Sequence, residues 1–190
     1  MKPELFVYTR IPNDSFCPPE YGNSIHLAVS VQGGTTVPLN QNEGILYAEA
    51  EISRENQIIG KSLAQPAIVL LKDGSEAEYA IVAKRINHDG TEEVRAASER
   101  LLWLTKDFIS FEKCGLVDVT QHPRLRVIPM EDLCPDKEEE CPYPFPDVSS
   151  CSRIEIETGL YETMMHYYLP MQDKHTGCLH EWPADSFPLA

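Results

Sequence analysis

The sequence predicts an all-β fold of antiparallel four-stranded meanders, followed by an irregular C-terminal segment rich in Pro and Cys. Three observations carry this reading. Seven short apolar runs recur between residues 4 and 119 at the intervals of antiparallel strands. The text between them is turn chemistry, with "QGG" at 32–34, "KDG" at 72–74 and "HDG" at 88–90. From about residue 120 the pattern breaks into "CPDKEEECPYPFPDVSSC", whose four prolines and charge run exclude a central strand.

In chain order, "ELFVYTR" and "SIHLAVSV" are short runs rich in β-branched and aromatic residues and read as the first two strands. "GILYAEAEI" follows the Gly-rich turn as a third. "AIVLLK" and "EYAIVAKRI" flank Asp73-Gly74, and Asp-Gly between two apolar runs is the strongest short hairpin signal. Gln65-Pro66 is expected where the first strand of that pair begins. "RLLWLT" and "FEKCGLVDV" complete the set, the last alternating best, as an outer half-exposed strand should. "EEVRAASERLLWL" has apolar spacing compatible with helix. Because it runs on as strand, turn, strand, residues 92–99 read as a loop or one short helical turn. Strand-like text resumes at "SRIEIETG" and "TMMHYYLPM". The expected organisation is therefore a β domain over 1–119, a Pro/Cys/acidic loop or linker over 120–152, and a further β segment with the C-terminal tail over 153–190.

Composition narrows the partners. A net charge of -14, from 30 acidic against 16 basic residues, speaks against nucleic acid and anionic membrane, which both require clustered Lys and Arg. No apolar run approaches the ~20 residues of a spanning helix. "MKPELFVYTR" enters a strand directly instead of opening a signal peptide, so a soluble, cytoplasmic protein is expected. In that setting the six cysteines, Cys17, Cys114, Cys134, Cys141, Cys151 and Cys178, are expected as thiols. Neither Cys134 and Cys141 around "PDKEEE" nor His175, Cys178 and His180 in "HTGCLH" repeats the Cys spacing of a structural zinc site. No metal and no cofactor are expected.

Set in order, "HLAVS…PLNQNEGILYA", "PAIVLLKDGSEAEYAIVA" and "LLWLTKDFISFE" resemble glycoside hydrolase family 43 and its relatives, five-bladed β-propellers that act mainly on arabinose- and xylose-containing glycans. The resemblance covers roughly residues 4–119 and implies about two blades of a partial, propeller-like fold, each blade a four-stranded meander. The tail "WPADSFPLA" resembles the lead-in to a further blade, which implies that these residues are the N-terminal part of a longer glycosidase. Enzymes of that family invert with one carboxylate as base, one as acid and a third that tunes the acid. The first blade here opens with Lys2-Pro3-Glu4 where the family has Asp, and the second carries Gln65, an amide that cannot ionise. For the acid, "RIEIETGLY" offers Glu155 and Glu157 without the family's surrounding pattern.

The resemblance thus implies a carbohydrate-active protein that is accessory and non-catalytic, with a pentose-containing glycan or the remainder of the glycosidase as partner. An active hydrolase with displaced carboxylates at Glu155 or Glu157 is one alternative, and a protein-interaction scaffold is the other. The substrate-binding candidates are Arg10, His26, Gln65 and Trp103. Tyr8 and Arg10 share one face at the end of the first strand, and planar polar side chains hold sugars. His26 lies in an apolar strand and reads first as a satisfied core or pocket-wall histidine. Trp103, between Leu102 and Leu104, reads as core before sugar platform. Asp73, Asp89 and Asp107 read as turn residues, "DKEEE" as a solvated loop face and Trp182 as a plug against the body. Two blades leave open sheet edges, through which a homo-oligomer could form.

Overall fold

The computed structural model describes residues 2–10, 24–30, 36–71, 79–135 and 148–172. The turns at 32–34 and 72–74 lie outside them, as do Asp73, the "DKEEE" run, Cys17, Cys141, Cys178, His175, His180 and Trp182. Within them the chain is an all-β protein of two antiparallel sheets, with a small hairpin and two helices.

The first sheet contains β1 (Glu4–Arg10), β2 (Ser24–Ser30) and the two-residue strands β3 (Val37–Pro38) and β4 (Leu46–Tyr47), both of which pair with β2. β5 (Glu51–Ile52) and β6 (Ile58–Ile59) form a separate hairpin. The second sheet is a meander of β7 (Lys61–Leu70), β8 (Tyr79–Asn87), β9 (Glu99–Thr105) and β10 (Glu112–Asp118), in the spatial order β10-β9-β8-β7. Six of the seven runs read as strands up to residue 119 fall on β1, β2, β7, β8, β9 and β10, whereas "GILYAEAEI", expected as one strand, carries only the two-residue β4 and β5, which belong to different sheets. Outermost, β10 is half-exposed as expected, with no fully buried residue, but its burial does not alternate: two exposed residues are followed by five half-buried ones, across a register shift between Lys113 and Gly115. β7 and β8 pair antiparallel down to Leu70 and Tyr79, as the Asp-Gly hairpin reading requires. Residues 92–98 are a loop that leads into β9, with an isolated bridge from Glu92 to Ile86.

Three further expectations are corrected. Gln65-Pro66 does not open a strand. It lies inside β7, where the register with β8 shifts between Ala64 and Ala67 and Gln65 has φ of 47°. A proline has no N–H for the ladder, and a bulge on an edge strand is where a sheet tolerates one. The further β segment expected over 153–190 begins earlier, at Val148. β11 (Val148–Glu155) pairs with β1 along its whole length, Glu4 opposite Glu155 and Tyr8 opposite Cys151, and so completes the first sheet. "TMMHYYLPM", read as strand, lies in a helix, α2 (Thr158–Gln172). Tyr161, Met164, Met165 and Tyr168 recur at helical spacing and face the core.

The layers explain the burial. Leu5, Val7, Ile25, Leu27 and Val29 of the first sheet meet Leu63, Ile81, Leu101 and Trp103 of the second, and α2 adds Met164 and Tyr168 to the same core. Each such side chain contributes about 1.5–3 kcal/mol on burial. The second sheet's other face carries Val69, Val82, Leu102 and Leu104. It is covered by the turns after β10 and the short helix α1 (Met130–Leu133), which bury Leu125 and Leu133 against it. No described helix is long and apolar enough to cross a membrane.

An ion network pins the β5–β6 hairpin to the second sheet. Lys61 contacts Glu51 at 3.3 Å and also contacts Glu93, while Arg85 pairs with Glu51 and, at 3.1 Å, with Glu93. Arg95 reaches Glu93 at 2.5 Å and Glu51 at 3.4 Å. Burial alone would push the Glu93 carboxyl up, but hydrogen bonds from Lys61, Arg95 and Arg85 outweigh it and hold the group at about 2.

Candidate functional site

β1 and β2 are two-residue-periodic, so Tyr8 and Arg10 on one strand and Ser24 and His26 on the other project from a single face of the first sheet. Tyr8 stands opposite His26 in the register, their rings stacked with centroids 5.4 Å apart. All four side chains are buried, and buried polar groups require partners. A single residue supplies several of them. The Tyr8 hydroxyl donates to Asn42 Oδ1 at 2.6 Å, Arg10 Nη1 donates to the Asn42 carbonyl at 3.1 Å, and His26 Nδ1 lies 3.0 Å from the same carbonyl. A carbonyl can only accept, so His26 carries its proton on Nδ1. In the neutral imidazole, Nε2 then accepts from the Ser24 hydroxyl at 3.2 Å.

Asn42 ends a turn, Asn40–Asn42, in which all three residues have positive φ, at 50°, 56° and 61°. Each left-handed residue costs about 1 kcal/mol or more unless the surroundings enforce it. Asn bears that conformation better than most residues, which is why an Asn-rich turn can be held here. The turn is bonded to β2 on both sides, by Leu39 N to the Leu27 carbonyl at 2.8 Å and Ile45 N to the Ile25 carbonyl at 2.7 Å. Gly44 follows because nothing larger fits. An added Cβ would lie 2.0 Å from Ser24 Oγ.

The buried side chains are thus the support, and the turn presents a rim. Asn40 and Gln41 are half-buried, Glu43 is exposed, and the exposed ring of Tyr47 donates its hydroxyl to the Gly44 carbonyl at 2.8 Å. Amides beside an exposed aromatic face can hydrogen-bond and stack on a polyhydroxylated ligand.

Of the residues expected from sequence, the structure brings Arg10, His26 and Tyr8 together. Gln65 sits in the β7 bulge with no hydrogen bond to them, and Trp103 is in the core between the sheets, with no face left for stacking. Glu155 is exposed at the end of β11. Glu157 is exposed just beyond it and pairs with Lys2 at 2.7 Å. Neither shares a described cavity with a second carboxylate. Asp89 and Asp107 serve turns: Asp89 Oδ1 accepts from Thr91 N at 2.9 Å, and Asp107 Oδ1 from Ile109 N and Ser110 N at 2.9 and 2.8 Å. Sequence reasoning missed Asn42, Gly44 and Tyr47, although "NQNEG" carried a signal in its clustered αL-tolerant residues. Among the described residues no three His, Cys, Asp or Glu side chains gather as a metal site. No protein-family model matches the chain, and no curated protein or solved structure matches it either.

Proposed function

We propose that this chain is a carbohydrate-active accessory domain, the non-catalytic N-terminal part of an arabinan- or xylan-acting glycosidase related to family 43. In this reading the two antiparallel sheets are the first blades of an incomplete propeller, and the Asn40–Asn42 turn with Tyr47 is where a pentose-containing chain is held. The observation that carries it is the convergence of Tyr8, Arg10 and His26 on Asn42, which fixes a strained turn whose Asn40 amide shares the Gly44 carbonyl with the hydroxyl of the exposed Tyr47 ring. Strain of this kind persists where the surroundings over-determine it, and it clusters at ligand clamps.

The test is calorimetric titration of the 190-residue chain with arabino- and xylo-oligosaccharides, beside a turnover assay on nitrophenyl arabinofuranosides and xylosides. Binding without turnover is expected. Tyr47→Ala and Gln41→Ala should each weaken it, the ring removal by roughly tenfold, the size of a lost stacking contact. Turnover abolished by Glu155→Gln or Glu157→Gln would overturn the accessory reading in favour of an active hydrolase.

A protein-interaction scaffold is the second reading, favoured by the β5–β6 hairpin. Ile52 and Ile58 face each other across it and are 75% and 80% exposed, a pair that a glycan-binding role leaves unexplained. Loss of a protein partner in Ile52→Ser/Ile58→Ser, with glycan silence in the parent, would select it.

A further inference from the structure

Arg100 lies on β9 on the face covered by the turns after β10, and its residue is 5% exposed. A buried guanidinium normally has a carboxylate beside it, because an uncompensated charge in the interior is strongly disfavoured. Arg100 pairs with none among the described residues. Its Nη1 donates to two backbone carbonyls, Ala97 at 2.6 Å and Glu99 at 3.0 Å, and its buried Nε has no partner.

The Ala97 carbonyl also takes the Cys134 thiol, at 3.8 Å. Cys134 and Arg100 therefore share one acceptor, which brings the sulfur within two hydrogen-bond lengths of a cation that has no carboxylate partner among the described residues. Cys134 caps α1, its N–H bonded to the Met130 carbonyl at 2.8 Å. It is partly exposed and packs against the cluster that Leu133 and Leu125 close. A partly accessible thiol next to a fixed cation is the microenvironment in which cysteine is selectively oxidised. The counter-charge that Arg100 lacks among the described residues is one that an oxidised sulfur supplies.

We infer that Cys134 is a site of reversible oxidation by hydroperoxides, and that Arg100 is the positioning residue that holds the anionic sulfenate. The sulfur attacks the distal peroxide oxygen. An S–O bond forms as the O–O bond breaks, the sulfur loses two electrons to the peroxide, and the leaving oxygen takes up the thiol's proton and departs as water or alcohol. The sulfenic acid so formed gives its proton to solvent and the sulfenate oxygen pairs with the guanidinium; two equivalents of a thiol reductant return the cysteine thiol and leave as a disulfide, with release of water.

Cys114 serves as an internal control. It is also partly exposed, but burial and the neighbouring Glu112 push its thiol up. The 190-residue chain is reduced, exposed to hydrogen peroxide with dimedone present, and digested for mass spectrometry. Cys134 should acquire label roughly tenfold faster than Cys114, the scale on which a neighbouring cation separates thiols. Arg100→Gln should bring the two rates together, and Arg100→Lys should retain part of the gap. Oxidised wild type should also melt higher than reduced, with no such shift in Cys134→Ser, which keeps the proposal testable should the Arg100 variants not fold. Equal labelling of Cys134 and Cys114, a Cys134 rate untouched by Arg100→Gln, or oxidation that lowers the melting temperature would each overturn it.

Discussion

Gly44 shows how much of the candidate site rests on single atoms. An added Cβ would meet Ser24 Oγ at 2.0 Å, Ser24 Cβ at 2.4 Å and Tyr47 Oη at 2.8 Å, distances that no rotamer change of Ser24 can relieve, since its own Cβ is among them. Gly44→Ala should therefore destabilise by about 2–3 kcal/mol, the upper range for overpacking a tight interior. In a Ser24→Gly background, where the two nearest obstructing atoms are gone and only the Tyr47 hydroxyl at the end of its side chain remains, the same substitution should lose less than half as much. Urea unfolding of the four proteins closes the cycle; equal losses in both backgrounds would mean that the clash is relieved by backbone movement instead. At this scale the sequence was partly legible. Strand periodicity places Tyr8 with Arg10 and Ser24 with His26 on common faces, so three planar polar residues could be anticipated together. Their shared partner could not, because Asn42 reaches them through a turn whose left-handed backbone is enforced by contacts distant in sequence.

At the scale of elements, strands bounded by Gly and Asp turns were readable and α2 was not. Its residues, "TGLYETMMHYYLPMQ", combine Thr, Tyr and a proline that individually disfavour helix. The helical recurrence of Tyr161, Met164, Met165 and Tyr168 becomes decisive only once there is a core for that face to meet. Tertiary packing thus overrides propensity here, and one polar contact reports on it. The Tyr168 hydroxyl donates to the Phe108 carbonyl at 2.6 Å, and Phe108 is itself held at φ of 56° with its N–H bonded to Thr105 Oγ1 at 2.9 Å. Tyr168→Phe keeps the ring packing and removes only that bond, so a loss of about 1 kcal/mol is expected. Hydrogen exchange should localise it. Amides of 160–169 should exchange several-fold faster while those of β8 and β9 stay unchanged; uniform acceleration would mean that α2 opens only with the whole protein. The bulge in β7 was equally hidden, since Gln65-Pro66 reads as a strand start until the pairing of Lys61–Ala64 with β8 extends the strand past it.

For the whole molecule, the closure of the first sheet by β11 joins residue 4 to residue 155, and nothing in a linear pattern specifies so distant a register. The charge balance, by contrast, was legible, but its sign alone misleads. With a net charge of -14, mild acid should relieve self-repulsion. Yet exposed carboxylates that titrate alike in folded and unfolded chains contribute no pH slope, and only a group whose proton affinity changes on folding does. Glu93 is such a group. Its folded carboxyl sits at about 2 against an ordinary value of 4.5, so between those pH values the unfolded chain binds the proton and the folded one does not. The stability this group supplies is therefore complete above about pH 4.5 and is lost as the pH falls towards about 2. Its side chain is only 7% exposed, beside Lys61 at 5% and Arg85 at 11%, so solvent screens the network little. Glu93→Gln should cost about 2 kcal/mol at pH 7, because it leaves two nearly buried cations short of a counter-charge. That gap should close progressively between pH 4.5 and 2 as the wild-type carboxyl is itself protonated. Denaturant midpoints of both proteins across that range decide the matter: curves that converge on acidification assign the acid sensitivity to the Lys61–Glu93–Arg85–Arg95 network, and curves that stay parallel place it elsewhere in the molecule.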